Sequence, residues 1–453
     1  MTAKASPCST RRHSHDHPDG RGCGRAAGTL HRAGYAAYVV GGCVRDSLLG
    51  LTPHDWDLCT SALPQQVMEL FGAQRCIPTG LQHGTVTVKQ SGALYEITTF
   101  RTEGTYTDGR HPDEVHFVPD VREDLARRDL TINAMAYNEK EGLVDPFGGQ
   151  ADLQSGIVRA VGVPRQRFTE DALRILRLYR FAARFGFAID PPTAQAAQEL
   201  CAHLDCVSVE RIEEELAKLL AASAPAAYLD KKILLVILPE LSSEALAAAK
   251  QVVDACPAGA ENLPIRLAAL LLSLGEDGIR RTLKRLRCSN ALIEEAAVLV
   301  REARGCDGSF LFGHDSGHSI ARPIAFGNRV PPQRTVLRET TVTPGFTIYA
   351  RRLLGKYNLC TVQRIAALGT ALQPERAADF AALSELAEQL DADGVCCRVS
   401  QLAVNGRDLM AAGVPAGPGI RKVLEALLDG VIREEYPNER KALLAAVRQL
   451  AAS

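Results

Sequence analysis

The stretch from Tyr38 to Asp57 reads YVVGGCVRDSLLGLTPHDWD, and its interpretation decides how the rest of the chain is understood. The apolar run Tyr38-Val39-Val40 breaks at Gly41-Gly42, and an amphipathic segment from Val44 to Leu49 follows. Strand, glycine turn and helix is therefore the predicted order. Paired glycines let a backbone approach a ligand closely, and a helix N-terminus behind them offers free N–H groups and a positive dipole end to phosphate. The stretch closes on Asp55-Trp56-Asp57. Residues at i and i+2 of a strand project to one face, so the two carboxylates stand side by side and repel unless something positive lies between them. A bare D-x-D is a polar loop end in most proteins, but a phosphate-cradling turn just upstream changes that reading. Magnesium is a hard cation held by one or two carboxylates plus substrate phosphates, and two such ions can stabilise the attacking and leaving oxygens of a phosphoryl displacement. The stretch has the layout that nucleotidyl transfer needs.

The surrounding chain is long and of ordinary globular composition. Its 453 residues exceed one core and predict several domains at ~150 residues each. It is 46% hydrophobic and 23% charged, and no apolar run reaches the ~20 residues that span a bilayer, so no membrane role is expected. The first residues lack the apolar centre of a signal peptide, which argues against secretion. Thirteen scattered cysteines with no paired C-x-x-C motifs indicate neither a zinc site nor a disulfide framework, and a reducing cytoplasm is the expected location. A net charge of −1 says little about nucleic acid, because an acidic catalytic half can balance a basic RNA-binding half.

Outward from the glycine turn, residues 1–27 are rich in His, Arg, Gly and Ser and read as a disordered tail. Pro64 to Phe71 reads as a helix with Pro in its first turn and Val67, Met68, Leu70 and Phe71 on an apolar face. Gly84 to Lys89 and Leu94 to Phe100 alternate as half-buried strands. Within the second, Glu96 is either an exposed edge residue or a third carboxylate beside Asp55 and Asp57. Arg101 to Asp113 is a turn-rich loop between strands with Arg110 and His111 at its tip, placed to close over a substrate. RRDLTINAMAY, from Arg127 to Tyr137, opens on guanidinium forks suited to triphosphate oxygens and continues as a helix-compatible stretch in which Asp129 or Asn133 could read ribose hydroxyls. Asp145 to Gly149 is a glycine-rich turn and is read as an interdomain hinge. Thr169 to Phe187 predicts a helix capped by Thr169 with Asp171 and Arg174 three apart on one face, and Arg174, Arg177, Arg180 and Arg184 recurring along it. Such a pair is commonly a surface ion pair, yet carboxylate and guanidinium together offer the acceptor and donor that a base edge requires.

At this point residues 30–220 resemble the class II tRNA nucleotidyltransferase and bacterial poly(A) polymerase family. GGCVRD with DWD, RRDLTINA, DPFGG, EDALRILR and SVERIEEELAKLL match its five motifs in order. The resemblance implies an α/β head, a polymerase-β-like palm with a mixed five-stranded sheet, followed by an all-α neck, body and tail. It implies that Asp55 and Asp57 hold Mg2+; the catalytic candidates are Asp55, Asp57 and Glu96, the last from the strand reading and not from the resemblance. Together with the residue reading, the candidate nucleotide-binding set is Gly41, Gly42, Arg45, Arg110, Arg128, Asp129, Asn133, Asp171, Arg174 and Arg177. Asp129 and its neighbours would sense the ribose, and Asp171 and Arg174 would pair with the incoming base. VNGRDLMAAGVPAGPGIRKVLEALL, within Leu402 to Leu444, is similar to the tail of Gram-positive-type CCA-adding enzymes. The expected partners are tRNA, CTP and ATP, with no stable protein partner implied. Addition of CMP and AMP to the tRNA 3′ end is the leading expectation. Poly(A) or A-only addition is the alternative, because the head motifs are shared, and a non-catalytic RNA-binding protein is a distant one. LLLSLGED lacks the His-Asp pair of a phosphohydrolase module, so no such activity is expected.

The domain reading is a tail over 1–27, head over 28–150, neck over 151–220, body over 221–305, an atypical segment over 306–346, and a tRNA-binding body and tail over 347–453. In the atypical segment helical periodicity stops, and Pro323, Pro331, Pro332 and Pro344 preclude a continuous helix. It reads either as a basic insertion contacting tRNA phosphates or as a segment coded out of register and poorly packed. The second is favoured, since an evolved loop need not replace helices that a body requires.

Overall fold

The computed structural model describes residues 18–104, 114–305 and 343–450. Chain contacts divide these into two compact units, one of residues 18–246, 258–260 and 285–288, the other of the remainder. In the first unit the chain runs through α1 (Pro18–Arg32), β1 (Ala37–Val40), α2 (Gly42–Leu48), β2 (Asp57–Thr60) and α3 (Pro64–Phe71). It continues as β3 (Cys76–Gly80), β4 (Thr85–Gln90), β5 (Ala93–Thr99), the short pair β6 (Arg101–Glu103) and β7 (Val115–Phe117), then α4 (Val121–Ala126), β8 (Ala136–Asn138), β9 (Gly142–Val144) and α5 (Gly149–Ser155).

Seven strands form one mixed sheet in the order β3-β4-β5-β2-β1-β8-β9, where the family resemblance implies five. The edge strands carry little pattern: β3 has no buried residue and β9 is only three residues long. Most pairs are antiparallel, but β2 and β5 run parallel, Leu58 facing Ile97 and Thr60 facing Thr99. Along β5 the alternation is plain, with Tyr95, Ile97 and Thr99 buried and Leu94 and Glu96 exposed. Tyr38, Val40, Cys59, Phe100, Leu125 and Ala136 pack into one core cluster.

Helix α1 corrects the expected 27-residue tail from Pro18 onward. Cys23, Ala26 and Leu30 fall three and four apart on one face and are fully buried, and the helix packs across β1, β2, β4 and β5. Burying Leu30 alone is worth roughly 1.5–3 kcal/mol. At Gly22 a Cβ would collide with the Tyr95 side chain of β5, so a residue without a side chain is what lets the helix lie this close to the sheet.

After the sheet come β10 (Ile157–Val158), α6 (Pro164–Glu170), α7 (Leu173–Phe185), β11 (Ala188–Ile189, parallel to β10), α8 (Pro191–Leu200), α9 (Val209–Leu220), α10 (Lys231–Ile237) and α11 (Ser243–Ala255). The helix expected over 169–187 is thus two helices. Thr169 lies inside α6, and Asp171 sits at its C-cap in extended conformation with its carboxylate accepting the Leu173 N–H. Asp competes for backbone donors in this way and favours caps over helix interiors. The helix-compatible stretch 127–137 also departs from expectation. It forms a single 3-10 turn over Thr131–Asn133 and then enters β8, with the Thr131 hydroxyl donating to Asp152 at 2.6 Å.

The second unit is helical. It holds α12 (Leu263–Leu270), most of α13 (Gly275–Arg285), α14 (Asn290–Gly305), α15 (Pro344–Lys356), α16 (Leu359–Leu372), α17 (Ala377–Ala392), α18 (Gly406–Ala411), α19 (Gly419–Ile432) and α20 (Arg440–Leu450). Val404, Leu409, Leu427, Val431, Leu443 and Val447 close the core of its C-terminal end. Of the atypical segment, residues 306–342 lie outside the described residues, while Pro344–Phe346 open α15 and Phe346 is buried. Among the described residues no helix is long and apolar enough to cross a membrane.

Candidate active site

Gly41 is the hinge of the predicted turn. Its φ of +79° and ψ of −124° lie where L side chains are strained, and a Cβ there would come 3.0 Å from an Arg128 guanidinium nitrogen. Arg128 thus lies directly against the turn. It reaches Asp124 at 3.5 Å, and its Nε is buried with no hydrogen-bond partner among the described residues. Behind the turn, Cys43 Sγ donates toward the Val40 carbonyl at 3.4 Å, and burial pushes this thiol up to about 12. The cysteine is therefore packing, with no reactive thiolate.

Asp55 and Asp57 are exposed and flank the buried Trp56; β2 begins only at Asp57, so Asp55 lies just before the strand. Extending the β2–β5 register by one residue sets Asp57 next to Glu96, which is also exposed. None of the three carboxylates forms an ion pair with another described residue. Asp57 keeps contact with solvent but is crowded by the sheet, and its carboxyl is raised to about 6: burial acts first, then the negative charge of Glu96, with Arg128 opposing and Asp55 adding to the rise. Mutually repelling carboxylates with hard oxygen donors fit a magnesium ion that completes its shell with water and phosphate. Among the described residues no group of three or more metal-ligating side chains is already assembled.

Arg45, Asn133, Asp129 and Arg177 fall into one largely buried chain of hydrogen bonds and ion pairs. Arg45, in α2, donates to Asp46 at 2.7 Å and to the Asn133 side-chain oxygen at 2.6 Å. Asn133 donates to Asp129 at 3.2 Å, and Asp129 accepts from Arg177 Nε at 2.7 Å. Burial by itself would raise the Asp129 carboxyl, but the Arg177 guanidinium outweighs it and holds it well below the usual range. Arg177 lies 3.8 Å from Glu215, whose other oxygen accepts from Arg180. Arg45 and Arg180 also stack over the Phe181 ring, at 4.9 and 3.8 Å from its centre.

Asp171 and Arg174 do not pair with each other. Asp171 accepts from Arg211 Nη2 at 2.8 Å, whereas Arg174 donates to Glu170 at 2.8 Å and to the Arg127 carbonyl at 3.2 Å. Arg127 is itself tied to Glu103 and Asp124, both at 2.8 Å, which sets it apart from Arg128 at the turn. The carboxylate of Asp145 accepts the N–H groups of Gly149 and Gln150 and so fixes the start of α5. Arg110 and His111 lie outside the described residues.

Sequence reading missed Asp46, Glu170, Arg211 and Glu215. Glu215 carried a signal: it falls on the buried stripe Ile212, Leu216, Leu219 of α9, where an acid costs free energy unless a partner meets it. Arg211 lay within the motif SVERIEEELAKLL, but nothing local could name its partner, which lies 40 residues away.

Comparison with known proteins adds an independent line. Family models match in three places: Poly A polymerase head domain over residues 37–159, RNA and SrmB-binding site of polymerase A over 186–244, and tRNA nucleotidyltransferase domain 2 over 346–447. The chain is 35% identical over 433 residues to a CCA-adding enzyme of Lactiplantibacillus plantarum, covering 94% of this chain and 95% of that protein. It is 34% identical over 420 residues to one from Geobacillus kaustophilus, covering 92% and 93%. Among solved structures, the Bacillus stearothermophilus CCA-adding enzyme in complex with CTP superposes with a TM-score of 0.74 at 30% identity, covering 96% of this chain and 98% of that one. The Thermotoga maritima CCA-adding enzyme complexed with tRNA shares the fold, with a TM-score of 0.67 at 19% identity over 96% of each chain.

Proposed function

This chain belongs to the family of CCA-adding enzymes, and from that premise we propose that it adds CMP and AMP to the 3′ end of tRNA, consuming CTP and ATP and releasing pyrophosphate. The observation that carries the reading is whole-length likeness to enzymes of that name together with three carboxylates that pair with no described residue, set beside a glycine turn and Arg128. A tRNA substrate is met in the cytoplasm, where we place the reaction.

In this reading Asp55 and Asp57 hold Mg2+, with Glu96 beside them. When bound, the dication supplies positive charge that stabilises the oxygens around the reacting phosphate. The N–H groups at Gly41-Gly42 and the Arg128 guanidinium bind the triphosphate, and Arg128's unpartnered buried Nε has a donor to give it. Glu96 stands where it could orient the attacking 3′ hydroxyl. Asp129 and Asn133, held by Arg177 and Arg45, line the ribose, and Asp171 and Arg174 present acceptor and donor to the base. Arg110 is assigned to the same nucleotide site on sequence alone.

A poly(A) polymerase shares the head, and the head model that matches bears that name. The products decide. A tRNA lacking its CCA end, given CTP and ATP separately and together, should gain CMP residues followed by a single AMP. Long A tracts from ATP alone would overturn the assignment.

A further inference from the structure

The two side chains that meet the base in the proposed function are buttressed separately, from different helices. Arg174 is held by Glu170 of α6 and by the Arg127 carbonyl. Asp171 has both oxygens engaged: Oδ1 by the Leu173 N–H at 3.0 Å and Oδ2 by Arg211 Nη2 at 2.8 Å. Arg211 comes from the first turn of α9, and the pair is largely shielded, with side-chain exposures of 22% for Arg211 and 14% for Asp171. An ionised carboxylate is an acceptor only, and each oxygen can accept more than one hydrogen bond. The guanidinium therefore fixes the direction of Oδ2 without exhausting it.

We propose that Arg211 is a positioning residue for base selection, which locks the Asp171 carboxylate so that it takes the exocyclic amino group shared by cytosine and adenine. Uracil and guanine present a carbonyl oxygen in that place. A fixed carboxylate facing a carbonyl oxygen is an unmet, repulsive contact, whereas a carboxylate free to rotate would escape it. Discrimination thus depends on rigidity that Asp171 does not have by itself, and this inference rests on the proposed pairing of Asp171 and Arg174 with the base.

The test is steady-state incorporation of CTP, ATP, UTP and GTP, each supplied singly to tRNA lacking its CCA end, by Arg211→Ala, Arg211→Lys, Asp171→Ala and the Ala double variant of the full chain. Arg211→Ala should lower the preference for C over U and A over G about tenfold, the scale of one charge-assisted hydrogen bond. KM for CTP should rise several-fold while kcat changes no more than about twofold, since the reacting atoms are untouched. Arg211→Lys should recover part of the preference, and it carries the test if the Ala variant fails to fold. In the Asp171→Ala background the Arg211 substitution should add nothing. An equal loss for all four nucleotides, or the same loss of preference without Asp171, would overturn the role of Arg211. If Asp171→Ala relaxes selection and Arg211→Ala does not, only this inference fails. If Asp171→Ala leaves selection unchanged, the base-pairing reading beneath it fails as well.

Discussion

The mouth of β2 and the helices α7 and α9 treat acidic side chains in opposite ways. At β2, Asp55, Asp57 and Glu96 are exposed, clustered and without an ion-pair partner among the described residues, and Asp57 is driven upward by burial first and then by the charge of Glu96. Against these helices, Asp129, Glu170, Asp171 and Glu215 each meet an arginine of α7 or α9, and Asp129 is driven downward. One region keeps its charge uncompensated and ready for a cation and phosphate. The other has already neutralised its charge and uses it to hold side chains in fixed directions. Chemistry and recognition are thus separated by how the protein satisfies its carboxylates.

The contrast can be broken most directly at the exposed cluster. Asp57→Ala should cut nucleotide incorporation by at least about 10²–10³-fold, the scale on which a group stabilising transition-state charge acts, while tRNA binding by filter retention stays nearly unchanged. Near-normal turnover would remove Asp57 from the chemistry. Next in size is Glu215→Gln, which strands the buried Arg180 and should cost about 3–5 kcal/mol in urea unfolding; a change below 1 kcal/mol would show that the helix network is not a buried pairing system. Gly41→Ala should cost about 1–3 kcal/mol of backbone strain and raise KM for CTP and ATP alike, because the new methyl crowds Arg128. An unchanged KM would detach the turn from the triphosphate.

The smallest effect sharpens the comparison through pH. Asp129 has a folded-state pKa below its unfolded value near 3.8, so its contribution to stability is present above that value and is lost as pH falls below it toward the folded pKa. Asp129→Asn should therefore lower stability by a constant amount from pH 7 down to about 4, with the difference from the parent shrinking at lower pH. A difference that vanished already near neutrality would mean that Asp129 is not held by Arg177.

Local pattern made the strand–turn–helix core legible, because the apolar run Tyr38-Val39-Val40 stops at two glycines and an amphipathic segment follows within a few residues. The ends of α3 were equally plain, with Pro64 in its first turn and the buried Val67 and Phe71 on one face. The break at Asp171 was not, because a carboxylate that takes a backbone N–H overrides a continuous apolar pattern whose side chains pack the same way in one helix or two. Nor was α1, where small residues gave no hydrophobic contrast until the sheet they pack on was known.

By itself the sequence determined the motifs, their order and hence the family. Tertiary structure alone decided that Glu96 stands beside Asp57, that Arg128 closes on Gly41, and that Arg211 reaches Asp171. The first set depends on neighbours within a few residues, where backbone geometry fixes which side chains share a face. The second depends on strand register and helix packing between segments tens of residues apart, and no local periodicity encodes which distant charge will meet which.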